Sequence, residues 1–423
     1  MTPFDLLAVL LVAAGAIGCI NRLSLQLPAA IGFVAGSLAL AALALAADPF
    51  TGGRVSAWMQ GALAQLDLSG VFLGGVLGLL LFAATFEVSI AELREHKSII
   101  FLLATATVIL STALFAFGLY AICRLAGYDL PLRWCAVIGA ILAPTDAVVV
   151  DELLRRVHLP PALRAAIAGE SLLNDGAGIV LFVVTLQLVA GNTGVIGHGR
   201  VAAAILREGL GGAALGVAAG LLARAAIARL EDDGLRLIVS LALVLVSYRA
   251  ADALGISGPI AVVAAGLAFG RGMHSEAGQG RRTPVMDFWL LLHAVLNALL
   301  FLLIGLQAVE VAYAELAWLP VVVSIPLAVL SRLLSIAIPV ACLGGDWSAQ
   351  YRRVTVLTWA GMRGGVSIAM VLATPDSPWR GELLAICLAV VLFTVCAQGL
   401  TLPWALNRLF GGRIGAAARA PEP

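Results

Sequence analysis

The sequence predicts an all-α, polytopic membrane protein of about thirteen transmembrane helices. Three observations carry this. Of 423 residues, 61% are hydrophobic and only 12% are charged. That charged fraction is about half that of an ordinary soluble domain, so no large soluble domain fits in the chain. Apolar runs of about the 20 residues needed to cross a bilayer recur along the whole length. Lysines and arginines mark the ends of these runs in alternation, as the positive-inside rule requires.

In chain order the runs cover about 4–21, 28–47, 70–90, 99–123, 132–150, 164–190, 201–228, 235–254, 257–270, 287–308, 317–343, 352–373 and 382–407. The ninth is short and begins at Gly258-Pro259. The segment 54–66 reads as a short interfacial helix. The first run has no Lys or Arg before it, contains Asp5 and lacks a convincing cleavage site, so it is a span rather than a signal peptide. By this assignment roughly 17 basic residues fall on one side and about seven on the other. The richer side, including Arg94, Lys97, Arg155, Arg224 and Arg352, is assigned to the cytoplasm. An odd number of spans then puts the N-terminus outside and the C-terminus inside. Residues 1–413 form one transmembrane unit, and 414–423 form a short cytoplasmic tail. The net charge of +1 argues against a nucleic-acid partner. The six cysteines form no CxxC pair, so they read as small core residues rather than metal ligands or a disulfide framework.

The most informative stretch is Gly169-Glu170-Ser171-Leu172-Leu173-Asn174-Asp175-Gly176, which opens the sixth run. On a helix, residues four apart share a face. Glu170, Ser171, Asn174 and Asp175 therefore form one polar patch, with Leu172 and Leu173 turned away. A carboxylate near the bilayer midplane costs at least a few kcal/mol, so it is a functional candidate by default. The competing reading, a solvated helix end, fits Glu170 better than the deeper Asp175.

Two other runs carry breaks. In the fifth, Ala143-Pro144-Thr145-Asp146 places a proline at mid-span. Pro144 removes a backbone donor and clashes with the preceding turn. Freed backbone at this depth must face protein or a water-filled cavity. Thr145 and Asp146 follow it with hard oxygen ligands suited to a small cation. In the twelfth, Trp359-Ala360-Gly361-Met362-Arg363-Gly364-Gly365 surrounds an arginine with three glycines. Interrupted spans in corresponding halves are the best sequence pointer to a transporter's binding site. The two spans are expected to cross at their breaks, with Asp146 and Arg363 offsetting the exposed helix-end charges. Arg332, inside the eleventh run, and Arg363 each need a carboxylate, a helix C-terminus or water.

In combination and order these stretches resemble the cation/proton antiporter superfamily. The pair Asn174-Asp175 is similar to the branch containing NhaP-type sodium/proton antiporters and animal sodium/proton exchangers. Phe288-Trp289 through Leu296-Asn297-Ala298 to Ile304-Gly305-Leu306-Gln307 resembles that branch's scaffold helix, and Trp359 to Ser367 its glycine-arginine segment. The resemblance covers nearly the whole chain. It implies two inverted repeats with crossing broken helices. It implies a mobile core, about 99–190 and 317–407, and a dimerisation scaffold, about 4–90 and 201–308. It implies that Asp175 binds cation and proton in turn, that Na+ is held by Asp175, Asp146, Ser171 and the Thr145 carbonyl with Asn174 nearby, and that Glu170 pairs with Arg332. Where many relatives carry a glutamate in the third span this chain has Ala83, with Glu87 one turn later on the same face.

The resulting expectation is a multi-pass plasma-membrane antiporter, bacterial inner membrane by its character, that works as a homodimer and uses no cofactor. It exchanges Na+, or Li+ or K+ by the same oxygen chemistry, for H+. One titrating aspartate beside an asparagine implies one cation per proton and electroneutral exchange. A cation channel or cation-regulated sensor built on the same cavity is the alternative. An aspartyl protease is disfavoured, because neither Asp146 nor Asp175 sits in a Tyr-Asp or Gly-x-Gly-Asp setting, and no enzyme activity is expected.

Overall fold

The computed structural model describes residues 3–65, 75–86, 97–146, 150, 161–189, 198–228, 230, 232–277, 283–309, 311, 316–342 and 347–410. Glu87, the basic loop at 151–160 and the tail 414–423 lie outside them. Among the described residues the fold is all-helical, with no strand. Helix occurs in each of the apolar stretches, and among the described residues nine helices are long and apolar enough to cross a membrane.

Helix α1 (Pro3–Ile20) continues as a π-helical turn (Asn21–Leu25) and is followed by α2 (Ala29–Thr51). The corner between them is tied by one side chain. Asn21 donates through Nδ2 to the Leu27 carbonyl at 2.9 Å and accepts the Leu27 amide at 3.1 Å. Gly52 and Gly53, both at positive φ, then turn the chain into the short helix α3 (Arg54–Gln65). The remaining elements are α4 (Leu77–Ala84), α5 (Lys97–Leu125), α6 (Leu132–Leu142), α7 (Pro161–Val189), α8 (His198–Ile227), α9 (Asp233–Ala253) and α10 (Gly258–Ala277). They continue with α11 (Pro284–Leu306), α12 (Trp318–Cys342), α13 (Trp347–Trp359), α14 (Gly365–Leu372), α15 (Arg380–Leu392) and α16 (Gly399–Phe410), the last two joined by a π-helical turn (Phe393–Gln398).

Local chemistry explains several of these starts. Asp232 accepts the Gly234 and Leu235 amides and caps α9. Thr283 caps α11 by accepting the Met286 amide, and Pro284 fills the first helical position, where its missing N–H is no loss. Pro259 plays the same part in the first turn of α10. The ninth span, short in the sequence, therefore folds as a full helix.

Two apolar cores form. One is aromatic: Phe82, Phe86, Phe269 and Trp289 cluster where α4, α9, α10 and α11 meet, with Phe82 and Trp289 ring centroids 4.7 Å apart. The indole N–H of Trp289 donates to Ser240 at 3.0 Å, so the buried polar end of the ring is satisfied. The larger core joins α5, α6, α7, α12, α14 and α15, and α1, α2 and the C-terminal half of α11 pack onto it.

Helices α8 and α10 approach most closely along a ridge of small residues. A Cβ on Gly212 would press on the Ser257 carbonyl, and one on Gly216 or Gly220 would overlap the carbonyls of Ala261 or Ala265. Spacing of four places the three glycines in one row, the close-packing device of helices in lipid, where apolar burial drives no association. Gly216→Leu is therefore expected to lower the melting temperature in detergent by several degrees, the overpacking penalty being about 1–3 kcal/mol or more. Gly15→Leu, at a position with nothing within 4 Å of the added Cβ, is the control and should leave it unchanged.

Candidate functional site

The two interrupted spans meet at their breaks. Helix α6 ends at Leu142, and Pro144 offers no N–H to continue it. In an unbroken helix the Thr145 amide would bond the Ile141 carbonyl and the Asp146 amide the Leu142 carbonyl. Here all of these except the Leu142 carbonyl have identified partners from other helices. Thr145 N donates to Oδ1 of Asn174 at 3.3 Å. Asp146 N donates to the carbonyl of Met362 at 2.8 Å, a backbone bond from one break to the other. The Ile141 carbonyl accepts the Ser367 hydroxyl at 2.9 Å.

The second break is held in the same manner. Helix α13 ends at Trp359, residues 361–364 are non-helical, and α14 starts at Gly365. The Arg363 amide donates to Thr394 Oγ1 at 3.1 Å, and Thr394 in turn donates to the Val391 carbonyl. Thr394 lies on the π-helical turn after α15, a local widening of the kind often found at functional sites. The guanidinium of Arg363 is buried and donates through Nη1 to the Gly361 carbonyl at 2.8 Å. It therefore sits at the negative end of α13.

The polar face of α7 packs against the first break. Ser171 Oγ donates to the Thr145 carbonyl. Asn174 donates to Thr145 Oγ1 at 2.8 Å and to Glu170 Oε1 at 3.3 Å, and is 0% exposed. Its amide thus uses both donors and its acceptor. An aspartate at 174 would supply no donor and would set a second negative charge against Glu170. Glu170 and Arg332 are in contact, with Arg332 Nη2 2.7 Å from Oε1 and 2.8 Å from Oε2 and each side chain 3% exposed. Gly361 leaves room for this: a Cβ there would come within 2.7 Å of Arg332 Nε. Asp146 and Asp175 are half-buried, and Asp146 and Glu170 both lie within electrostatic range of Asp175. A Cβ on Gly364 would overlap the Asp146 carboxylate, so only glycine admits that carboxylate beside α14.

The structure thus brings Pro144, Thr145, Asp146, Glu170, Ser171, Asn174, Asp175, Arg332, Arg363 and Gly364 into one region. Gly365 faces Leu300 of α11 instead, where a Cβ would come within 2.7 Å of its side chain. Ala83 is fully buried near the aromatic core. Three residues that sequence reasoning did not single out also act here. Ser367 and Thr394 hold freed backbone groups, and Gly178 leaves space for the Pro144 ring, which a Cβ would overlap. Ser367 ends the glycine-arginine stretch, so its position was visible. A lone threonine in an apolar run carries no such signal.

Residues 7–408 match the family described as "Sodium/hydrogen exchanger, transmembrane". The chain belongs to the sodium/hydrogen exchanger family. The exchanger chain is 30% identical over 418 residues to the Na(+)/H(+) antiporter NhaP of Pseudomonas aeruginosa, covering 97% of each. It is 29% identical over 362 residues to the Na(+)/H(+) antiporter NhaH of Halobacillus dabanensis, covering 83% of this chain and 85% of that one. In fold it is similar to the sodium proton antiporter MjNhaP1 from Methanocaldococcus jannaschii, with a TM-score of 0.75 over 97% of this chain and all of that one at 17% identity.

Breaking one side of a buried ion pair strands a charge and costs about 3–5 kcal/mol. Glu170→Ala and Arg332→Ala in this exchanger should therefore each lose thermal stability in detergent. The double variant is expected to lose much less than the sum, since neither charge is then stranded. Simply additive melting-temperature losses would show that the contact carries no coupling.

Proposed function

We propose that the chain is a secondary antiporter that exchanges Na+ for H+, one for one, by presenting Asp175 alternately to the two sides of a plasma membrane. The observation that supports this most is the charge at the crossing. Among the described residues there, three carboxylates (Asp146, Glu170, Asp175) stand against two guanidiniums (Arg332, Arg363). Glu170 and Arg332 neutralise each other at contact distance, and by formal charge the five groups together leave one negative charge. One monovalent cation or one proton restores neutrality, and two of either overshoot it. An unoccupied site keeps its charge, which is costly to carry through the membrane interior. Movement is then confined to loaded states, and that coupling is exchange rather than leak.

The ligands fit a hard cation. The Thr145 carbonyl, Ser171 hydroxyl and Asp146 and Asp175 carboxylates supply oxygens, with Asn174 holding Thr145 in place. Li+ and K+ take the same ligand type and are distinguished by cavity size and dehydration. The proposal extends to a homodimer built on the helices of 4–90 and 201–308, a core of 99–190 and 317–407 that moves against them, an external N-terminus and a cytoplasmic C-terminus.

Proteoliposomes with a trapped pH dye test the reading. Adding NaCl outside should move protons in the opposite direction, and Asp175→Asn should reduce that movement to the empty-vesicle level while the protein stays folded. Exchange near the wild-type rate in that variant rejects Asp175 as the shared site. Electroneutrality has its own measurement: an imposed K+/valinomycin potential at zero Na+ and pH gradient should drive no proton movement. Potential-driven flux rules out one-for-one exchange, and potential-driven Na+ flux without protons points to a channel.

A further inference from the structure

A second cavity, of about 430 Å³, lies on the far side of α7 from the polar face. Its walls come from four helices: α5 (Val108, Ile109), α7 (Leu172 to Leu181), α8 (Leu206 to Ala213) and α10 (Ile260 to Leu267). The lining is almost wholly apolar, with Thr105 its single hydroxyl side chain. Leu172, Leu173, Gly176 and Ala177 belong to the same two turns that carry Ser171, Asn174 and Asp175 on the opposite face. The cavity therefore separates α5 and the site-bearing helix α7 from the glycine-locked pair α8 and α10.

Two observations say what fills it. The first is its mouth. Ile109, Leu206 and Leu210 are 57%, 58% and 68% exposed, so the opening is rimmed by large side chains that face hydrocarbon in a bilayer. The second is its level. Arg207, next to Leu206, donates to the Leu254 carbonyl in the turn between α9 and α10 at 3.1 Å. That turn ends two helices, so Arg207 stands at the bilayer surface with an exposed guanidinium. From Leu206 to Ala213 the wall descends about 10 Å at 1.5 Å per residue. At about 30 Å³ per water-sized group, the volume takes roughly fourteen such groups, comparable to the methylenes of one fatty chain.

We propose that this cleft holds one acyl chain of a phospholipid whose phosphate meets Arg207. The chain fills the space between α5/α7 and α8/α10, and the phosphate accepts from a guanidinium placed at headgroup depth. Under the antiport reading above, on which this consequence alone rests, the lipid lies in the seam along which the site-bearing helices would move. Lipid in the seam would then tune exchange rate without touching the ion ligands.

The test is photolabelling of the full chain in phosphatidylglycerol vesicles that contain phosphatidylglycerol with a diazirine in mid-chain. Attachment sites are mapped by peptide mass spectrometry. Labels should concentrate several-fold on 206–213 and 172–181 relative to the exposed face of α1 around Val12, which is 72% exposed. Ala213→Leu, which fills the cleft, should reduce that excess several-fold. Arg207→Gln should reduce it for the phospholipid probe and not for a diazirine fatty alcohol lacking phosphate. Labelling no denser than on α1, or an excess unchanged by Arg207→Gln, overturns the proposal even if Ala213→Leu fails to fold. So does a disulfide between two Leu210→Cys copies, which would show that a second copy covers the cleft. Na+-driven proton flux is read in the same vesicles: its absence in wild type counts against antiport, whereas the labelling pattern alone decides the lipid.

Discussion

Peptide groups released inside hydrocarbon must find partners, because each one left alone costs several kcal/mol. That requirement shapes the centre of this molecule. A proline ends one helix and a glycine-rich run ends another, and four of the exposed groups are matched, two across the gap (Asp146 to Met362, Ile141 to Ser367) and two by neighbouring elements (Thr145 to Asn174, Arg363 to Thr394). Neither break is tolerable without the other. The small residues around them follow from the same need, since Gly364, Gly361 and Gly178 are the positions at which a methyl group would push the two breaks, or their charged neighbours, apart.

Asn174 shows how a neutral side chain organises charged ones. It accepts one backbone amide and donates to a hydroxyl and to a carboxylate, so it fixes Thr145 and Glu170 relative to one another without adding charge. Glu170 is in turn held by Arg332 in a contact almost without solvent. The result is a rigid polar wall on α7, beside which Asp146 and Asp175 retain partial exposure. The groups that fix geometry are thus buried, and the carboxylates suited to changing partner are the accessible ones.

Much of this was legible in the sequence, for identifiable reasons. A polar patch recurring every four residues can only be one helical face, so Glu170, Ser171, Asn174 and Asp175 came together on paper. Pro144 and the glycines about Arg363 announced their breaks, and the need of a buried arginine for an acid drew attention to Arg332. Other features carry their information in the partner and so leave no local trace. Thr394 matters because of an amide on another helix. The Gly212, Gly216 and Gly220 row has a visible spacing, yet nothing in it specifies α10 as the surface it meets. The end of α6 at Leu142 is signalled by Pro144 alone, because hydropathy registers side chains and stays high to 150.

The pairing of the two breaks also orders the birth of the protein. Ile141 and Ser367 are 226 residues apart, and Met362 follows Asp146 by nearly as much. During synthesis α6 reaches the membrane with these groups lacking their final partners, and it remains so while six further helices, α7 to α12, are made. The nascent chain must therefore shelter an unfinished break, in water or against the insertion machinery, until α13 and α14 arrive. Two interruptions that complete each other across so much of the chain are late to become stable, and ribosome-bound intermediates ending before residue 360 are the stage at which quality control has most to recognise.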